Sequence, residues 1–149
     1  MKKNYYEVLK KIETIGPNIE KTELLKKTVE ILKENIHHYN WVGIYLLEKN
    51  VLVLGPYAGK PSPHTRIELN KGICGAAASQ KETIIVSDVK ADPRYLACSL
   101  ETKSEIVVPI MRGKKVFGEI DIDSDKPDAF GTEDQHLLEK ITEILAKKF

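Results

Sequence analysis

What this 149-residue sequence lacks restricts its function more than what it contains. It has two cysteines, which excludes a small fold held together by several disulfides. Lys and Arg total 23 against 22 Asp and Glu, with no dominant run of one charge, so nothing indicates a nucleic acid or an anionic membrane as partner. No apolar run approaches the length needed to cross a bilayer. We therefore expect neither nucleic acid nor membrane among the partners.

The first residues also lack the apolar stretch of a secretory signal. This absence predicts a cytoplasmic location, where thiols stay reduced. Two cysteines in such a compartment are more often free, catalytic or metal-bound than joined in a permanent disulfide. With 42% hydrophobic residues, the chain is long enough for one well-buried core, and we expect a single domain over residues 1–149.

The apolar spacing predicts helices near both ends of the chain and strands between them. Apolar residues recur at helical spacing over residues 5–15 and 19–36, and a last helix is predicted after Thr132. A segment rich in alanine, residues 73–79, predicts a short helix packed closely against a sheet. Strands are predicted near residues 41–48, 51–56, 65–69, 83–88, 104–112 and 115–123. This order favours an α+β fold, an antiparallel sheet with helices packed on it.

The hairpin formed by residues 104–124 carries the most unusual pattern. Because side chains alternate along a strand, Glu119, Asp121 and Asp123 share one face of it. Aspartate is depleted in strands and like charges repel, so three aligned carboxylates need a physical reason. Either this face is freely solvated, or it holds something cationic. The residues alone leave both interpretations open.

Each of the two cysteines has a chemical interpretation and a structural one. Cys98 lies in a polar loop near Arg94 and Lys103, cations that favour a thiolate, so it is a candidate nucleophile. The alternative is a buried, inert cysteine. Cys74 begins the alanine-rich segment and is either a resolving thiol or a small apolar residue in the contact between helix and sheet.

Two further groups of side chains, possible metal ligands and a pair of aromatic residues, also have a chemical and a structural interpretation. His64 with the two cysteines offers zinc ligands, but no close Cys-x-x-Cys or His-x-x-x-His pair is present, so we expect no metal. Trp41 and Tyr45 lie on one face of a predicted strand, with a glycine between them. They form either an aromatic wall above a pocket or part of the core.

Several short motifs, taken together in their order and spacing, resemble the free methionine-(R)-sulfoxide reductases, which are single GAF domains. The matching segments are YNWVGIY at 39–45, LGPY at 54–57 with GKP at 59–61, GICG at 72–75, AC at 97–98 with SEIVVP at 104–109, and DIDS at 121–124. Each motif is short, and their joint order is specific. The resemblance implies the GAF fold, a six-stranded antiparallel sheet flanked by helices.

The same resemblance implies an activity and assigns residues to it. The activity is thiol-dependent reduction of free L-methionine-(R)-sulfoxide to methionine, through a cysteine sulfenic acid and an intramolecular disulfide. Matching positions make Cys98 the nucleophile, Cys74 the resolving thiol and Glu105 a catalytic acid. The substrate contacts that it implies come from two aromatic and three acidic residues, Trp41, Tyr45, Glu105, Asp121 and Asp123.

The resemblance further implies a thioredoxin-like reductant, a homodimer and no cofactor. The sequence departs from the family pattern at two positions. His64 stands where family members often carry a further cysteine, and Ser99 stands where an Asp commonly follows the nucleophile. The alternative from a different class of protein is a GAF domain that binds a small molecule without chemistry, as sensory modules do.

Overall fold

Helices occupy the two ends of the chain and strands its middle, as the apolar spacing predicts. The structure is a computed structural model that describes residues 1–97 and 99–149. The helices are α1 Lys3–Ile15, α2 Lys21–Asn35, α3 Gly72–Gln80 and α4 Thr132–Ala146. The strands are β1 Trp41–Glu48, β2 Val51–Ala58, β3 Arg66–Glu68, β4 Ile84–Val86, β5 Ser104–Arg112 and β6 Lys115–Ser124. No helix in the described ranges is both long and apolar enough to span a membrane.

The six strands described form one antiparallel sheet in the order β3-β2-β1-β6-β5-β4. Two hairpins, β1 with β2 and β5 with β6, account for most of it. The central pair, β1 with β6, joins strands that are far apart in sequence and brings the two hairpins edge to edge. The predicted α+β fold with a six-stranded antiparallel sheet is confirmed.

Both faces of the sheet are covered, by different helices. One face carries aliphatic residues such as Ile44, Ile106 and Ile122 and forms a core with buried residues of α1, α2 and α4. The other face forms a second, smaller core in which Ile73 and Ala77 of α3 pack on the sheet. Small side chains let α3 lie close to the strands, as predicted for the alanine-rich segment.

Element boundaries differ from the predictions where pairing or capping decides them. β2 runs to Ala58 rather than to residue 56, because its last residues still pair with Val42 and Gly43 of β1. β4 covers residues 84–86 rather than 83–88, since it pairs only with Glu105 to Val107 of β5. Strand ends thus follow the length of the neighbouring strand, which a local sequence window does not contain.

A buried carboxylate ties α1, α4 and the segment before β1 together. Asp134 Oδ1 accepts hydrogen bonds from the hydroxyls of Tyr5 at 2.6 Å and Tyr39 at 2.7 Å. Its Oδ2 accepts from the Gly131 N–H at 2.9 Å, and His38 Nε2 lies 3.5 Å from Oδ1. Burial raises the pKa of Asp134, but these hydrogen bonds outweigh burial and lower the pKa to about 2.

Asp134→Asn should lower the free energy of unfolding at neutral pH by about 1.5 to 3 kcal/mol, since hydrogen bonds to a charged acceptor are lost. Because the folded-state pKa is depressed below the unfolded value of about 3.9, this contribution is present above that value and is lost as pH falls through the folded pKa of about 2. Urea unfolding at several pH values measures it. The control Glu143→Gln changes an exposed carboxylate of the same helix. A difference between Asp134→Asn and wild type that is as large in strong acid as at neutral pH would contradict the ionised network.

Candidate active site

The carboxylate row of β6 is buried, so the solvated-face interpretation of this pattern is wrong. Glu119, Asp121 and Asp123 are 0%, 3% and 4% exposed. They lie on the face that α3 covers, whereas Ile120 and Ile122 point into the larger core on the opposite face. Side chains therefore alternate between the two faces of the strand as predicted, and the polar face is buried rather than exposed to solvent.

The neighbouring strand β1 places two aromatic residues on the same face. Trp41 pairs with Asp123, Gly43 with Asp121 and Tyr45 with Glu119 across the β1–β6 ladder, and residues directly opposite each other share a face. Gly43 makes room for the tryptophan, because a Cβ at this position would lie 2.3 Å from the indole ring. The Trp41 ring can thus lie across the strand beside the acids.

On the other side of β6, β5 adds a fourth buried acid to the site. Glu105, 5% exposed, lies directly opposite Asp123 and is hydrogen-bonded to Asp121. Both oxygens of Glu119 and the Oδ1 atoms of Asp121 and Asp123 have no hydrogen-bond partner among residues 1–97 and 99–149. No basic side chain in those ranges forms a salt bridge with Asp121, Asp123 or Glu119. The three acids of β6 therefore have no ion-pair partner within the described ranges.

Burial changes the protonation of these acids. It raises the pKa of Glu119 and of Asp123 well above the usual range, and the charge of Asp121 adds to both shifts. Burial also raises the pKa of Asp121, although hydrogen bonds with Glu105 and Cys74 oppose that rise. Four carboxyl groups this close do not all ionise together. The site can therefore hold protons near neutral pH, and a bound cation would displace them.

Cys74 is enclosed with the acids at the start of α3. It is 5% exposed and packs in the smaller core with Tyr45 and Val107. Burial raises the pKa of its thiol well above the usual range, and the carboxylates of Asp121 and Glu119 add to the rise. A raised pKa favours the neutral thiol. Cys74 packs as its structural interpretation expects, and its role as a resolving thiol stays a prediction.

The acids and aromatics named from the sequence line two separate spaces. An inner cavity of about 20 Å³ is lined by Tyr45, His64, Ile67, Gly72, Ile73, Cys74, Leu96, Glu105 and Asp121. An outer pocket of about 390 Å³ is lined by residues that include Trp41, Lys60, Ser99, Glu101 and Asp123. One water needs roughly 10–15 Å³, so the inner cavity has room for a water-sized object and the outer pocket has room for an amino acid.

Two loops close the site from outside. Lys60 Nζ lies 2.7 Å from Glu101 Oε2, which joins the loop after β2 to the loop before β5. Leu96 packs on the start of α3, where a Cβ at Gly72 would lie 2.7 Å from Leu96 Cδ1. Leu96 thus covers the inner cavity. The predicted nucleophile, Cys98, lies outside the residues that the structure describes.

Contacts of His64 and of the two aromatic residues join these loops to the sheet. The Tyr45 hydroxyl donates to the His64 carbonyl at 2.6 Å, and the His64 ring Nε2 lies 3.1 Å from the Ala97 carbonyl. Trp41 Nε1 donates to the Lys60 carbonyl at 2.8 Å. Sequence reasoning weighed His64 as a zinc ligand and as a replaced cysteine, and it placed Glu119 on the acidic face without a role in the site. The contacts of His64 join distant segments, so no local signal predicts them.

The fold and this enclosed polar face together define a GAF domain. The sequence profile of the GAF domain family matches residues 20–148. The class of protein is therefore set by both architecture and sequence.

Named relatives narrow this class. The free methionine-R-sulfoxide reductase of Saccharomyces cerevisiae is 46% identical over 112 residues, which cover 72% of this chain and 62% of the yeast protein. That of Escherichia coli is 36% identical over 123 residues, 83% of this chain and 74% of the bacterial protein. The structure of the Neisseria meningitidis enzyme in complex with its substrate has a TM-score of 0.93 at 36% identity, covering 100% of this chain and 91% of that one. The chain belongs to the free methionine-R-sulfoxide reductase family of GAF domains.

Glu119→Gln should stabilise the folded protein by about 1 to 3 kcal/mol in mildly alkaline solution, because it removes a buried charge that no basic side chain balances. The folded-state pKa is raised above the unfolded value of about 4.3, so the cost of ionisation is absent below that value and grows as pH rises toward the folded pKa. Urea unfolding as a function of pH measures the gain. Glu68→Gln, at an exposed position of β3, is the control. A Glu119→Gln protein less stable than wild type in alkaline solution would mean that the carboxylate has a stabilising partner.

Proposed function

We propose that this protein reduces free L-methionine-(R)-sulfoxide to methionine, and that residues 1–149 act as one GAF domain. The observation that carries the proposal is the enclosed acidic face, in which Asp121 and Asp123 have unpaired oxygens and no basic partner in the described ranges. The ammonium group of a free amino acid supplies the missing positive charge. A methionine residue inside a protein has no such group, so the charge restricts the substrate to the free form.

The substrate is proposed to enter through the outer pocket and to place its ammonium between Asp121 and Asp123. Trp41 and Tyr45 contact the thioether side. In the structure these residues line different spaces, and Leu96 covers the inner one. Binding therefore requires Leu96 to move so that the two spaces join. Closure of the same loops then excludes water from the reacting atoms.

Reduction begins when the Cys98 thiolate attacks the sulfur of the sulfoxide. The sulfoxide oxygen takes a proton as its bond to the substrate sulfur breaks, and Glu105 is the acid that supplies it. The oxygen passes from the substrate sulfur to the Cys98 sulfur as the bond between the two sulfurs breaks, so methionine leaves and Cys98 becomes a sulfenic acid.

Cys74 then resolves the oxidised Cys98. The Cys74 sulfur attacks the Cys98 sulfur, a disulfide forms, and the oxygen departs as water with the thiol proton. The high pKa of Cys74 keeps this thiol protonated until the step occurs, and Asp121, hydrogen-bonded to it, is placed to pass the proton to the departing oxygen. A dithiol reductant of the thioredoxin type returns both cysteines to thiols by disulfide exchange.

Incubation with each sulfoxide epimer of free methionine and dithiothreitol, followed by amino-acid analysis, tests the activity. We expect methionine from the R epimer alone, and none with Cys98→Ser, because a hydroxyl at neutral pH does not attack sulfur. Binding of methionine sulfoxide without turnover by the wild-type protein would instead favour the non-catalytic sensory interpretation.

The resolving role of Cys74 has its own test. With thioredoxin as reductant, Cys74→Ser should release one methionine per active site and then stall with Cys98 as sulfenic acid, whereas a small thiol restores turnover. Mass spectrometry of the wild-type protein, treated with substrate in the absence of reductant, should show a disulfide between Cys74 and Cys98. Full thioredoxin-dependent turnover by Cys74→Ser would show that the reductant attacks Cys98 directly.

We further propose that the protein works in the cytoplasm as a homodimer. The apolar stripe of α1, with Tyr5, Val8 and Ile12, is buried within the chain, so a dimer must use another surface. Light scattering at micromolar concentration should give the mass of two chains. The mass of one chain under these conditions would refute the dimer.

A further inference from the structure

Three possible metal ligands meet in the inner cavity. Cys74, Glu105 and Asp121 each offer one ligand atom, the three atoms lie within 4.8 Å of one another, and all three residues are buried. All three also line the same cavity of about 20 Å³. A cavity of this size accepts an object as large as one water or one ion.

A second observation is that one carboxylate oxygen at the cavity, Asp121 Oδ1, has no hydrogen-bond partner in the described ranges. Asp121 is 3% exposed, and it lines the cavity. No lysine or arginine lines the inner cavity. A buried carboxylate oxygen at the wall of a polar cavity, with no neutralising cation, is a position where a cation binds favourably.

The donor set selects the kind of cation. Mg²⁺ and Ca²⁺ prefer oxygen ligands alone, whereas sulfur with carboxylate oxygens suits Zn²⁺. Zinc bonds to sulfur and oxygen are about 2.0 to 2.3 Å long, so two ligand atoms in a tetrahedral site lie about 3.3 to 3.6 Å apart. The three ligand atoms here lie within 4.8 Å of one another, so side-chain adjustment brings them to this geometry.

We propose that the inner cavity is a Zn²⁺ site in which Cys74 Sγ, one oxygen of Glu105 and one oxygen of Asp121 ligate the ion. The ion replaces the thiol proton of Cys74, which is released to solvent, and no electron is transferred. This site was not expected from the sequence, because its ligands come from α3, β5 and β6 and show no metal-binding spacing.

Zinc at this position would inhibit the reaction, an inference that rests on the proposed function. The ion takes Asp121 from the substrate ammonium, Glu105 from proton transfer and Cys74 from disulfide formation. Substrate and ion therefore compete for one set of side chains. Free zinc would act as a reversible inhibitor of the reduced protein.

Direct binding tests the site without any turnover. Titration calorimetry with Zn²⁺ on protein reduced with a phosphine should give one ion per chain. With Co²⁺ as probe, a charge-transfer band in the near ultraviolet should report a bond between thiolate and metal. Cys74→Ser should lose this band and weaken Zn²⁺ binding by about tenfold or more. Cys98→Ser should retain both signals.

Carboxylate variants test the other ligands. Asp121→Asn should weaken Zn²⁺ binding by about tenfold or more, while Asp125→Asn, the same change at an exposed position outside the inner cavity, should leave it unchanged. Circular dichroism and thermal unfolding verify that each variant is folded. Unchanged Zn²⁺ affinity in folded Cys74→Ser, or a loss of binding in Cys98→Ser alone, would overturn the site.

These experiments distinguish a failure of the metal site from a failure of the proposed reductase activity. Zinc binding that depends on Cys74, in a protein that does not reduce the R epimer, would support the metal site and refute the reductase. Reduction of the R epimer by a protein that shows no Cys74-dependent zinc binding would support the reductase and refute the metal site. Where both hold, free methionine should weaken Zn²⁺ binding in wild type, and an affinity that methionine does not change would overturn the competition.

Discussion

The enclosure of four carboxyl groups against one face of the sheet is the constraint on which the rest of the structure depends. Burying Glu105, Glu119, Asp121 and Asp123 with little compensation costs free energy. The opposite face offsets that cost, since it packs three helices over aliphatic residues of the same strands. The Asp134 network shows the contrasting case, because there hydrogen bonds hold a buried carboxylate in its ionised form. The Asp134 carboxylate thus stabilises the fold, whereas we propose that the acids on the sheet face serve the chemistry of the site.

The features of the fold that could be predicted are those that depend on short stretches of sequence. Alternation in the β5–β6 hairpin correctly separated the face of Asp121 from that of Ile120, since this pattern depends on strand geometry alone. It could not tell whether the acidic face is solvated, because α3, which covers it, lies about forty residues earlier in the chain. The ends of β2 and β4 were missed for a similar reason, as they depend on partner strands.

The candidate site was predictable in its members and not in its arrangement. Family motifs named Cys74, Glu105 and Asp121, and the structure brings these three residues into one cavity. The same motifs grouped Trp41 with Tyr45, yet one lines the outer pocket and the other the inner cavity. The loops with Leu96 and the Lys60–Glu101 ion pair decide that separation. Loop contacts of this kind have no periodic signature in sequence.

The central claim is that buried acids recognise the ammonium group of a free amino acid. The most direct test compares kcat/KM for free methionine-(R)-sulfoxide and for its N-acetyl derivative, which lacks the positive charge, in wild type, Asp121→Asn and Asp128→Asn, the last at an exposed position outside both pockets. The account predicts that wild type and Asp128→Asn prefer the free form by about tenfold or more, and that Asp121→Asn loses most of this preference, because a charged hydrogen bond of about 1.5 to 3 kcal/mol is missing. Equal use of both substrates by the wild-type protein would contradict it.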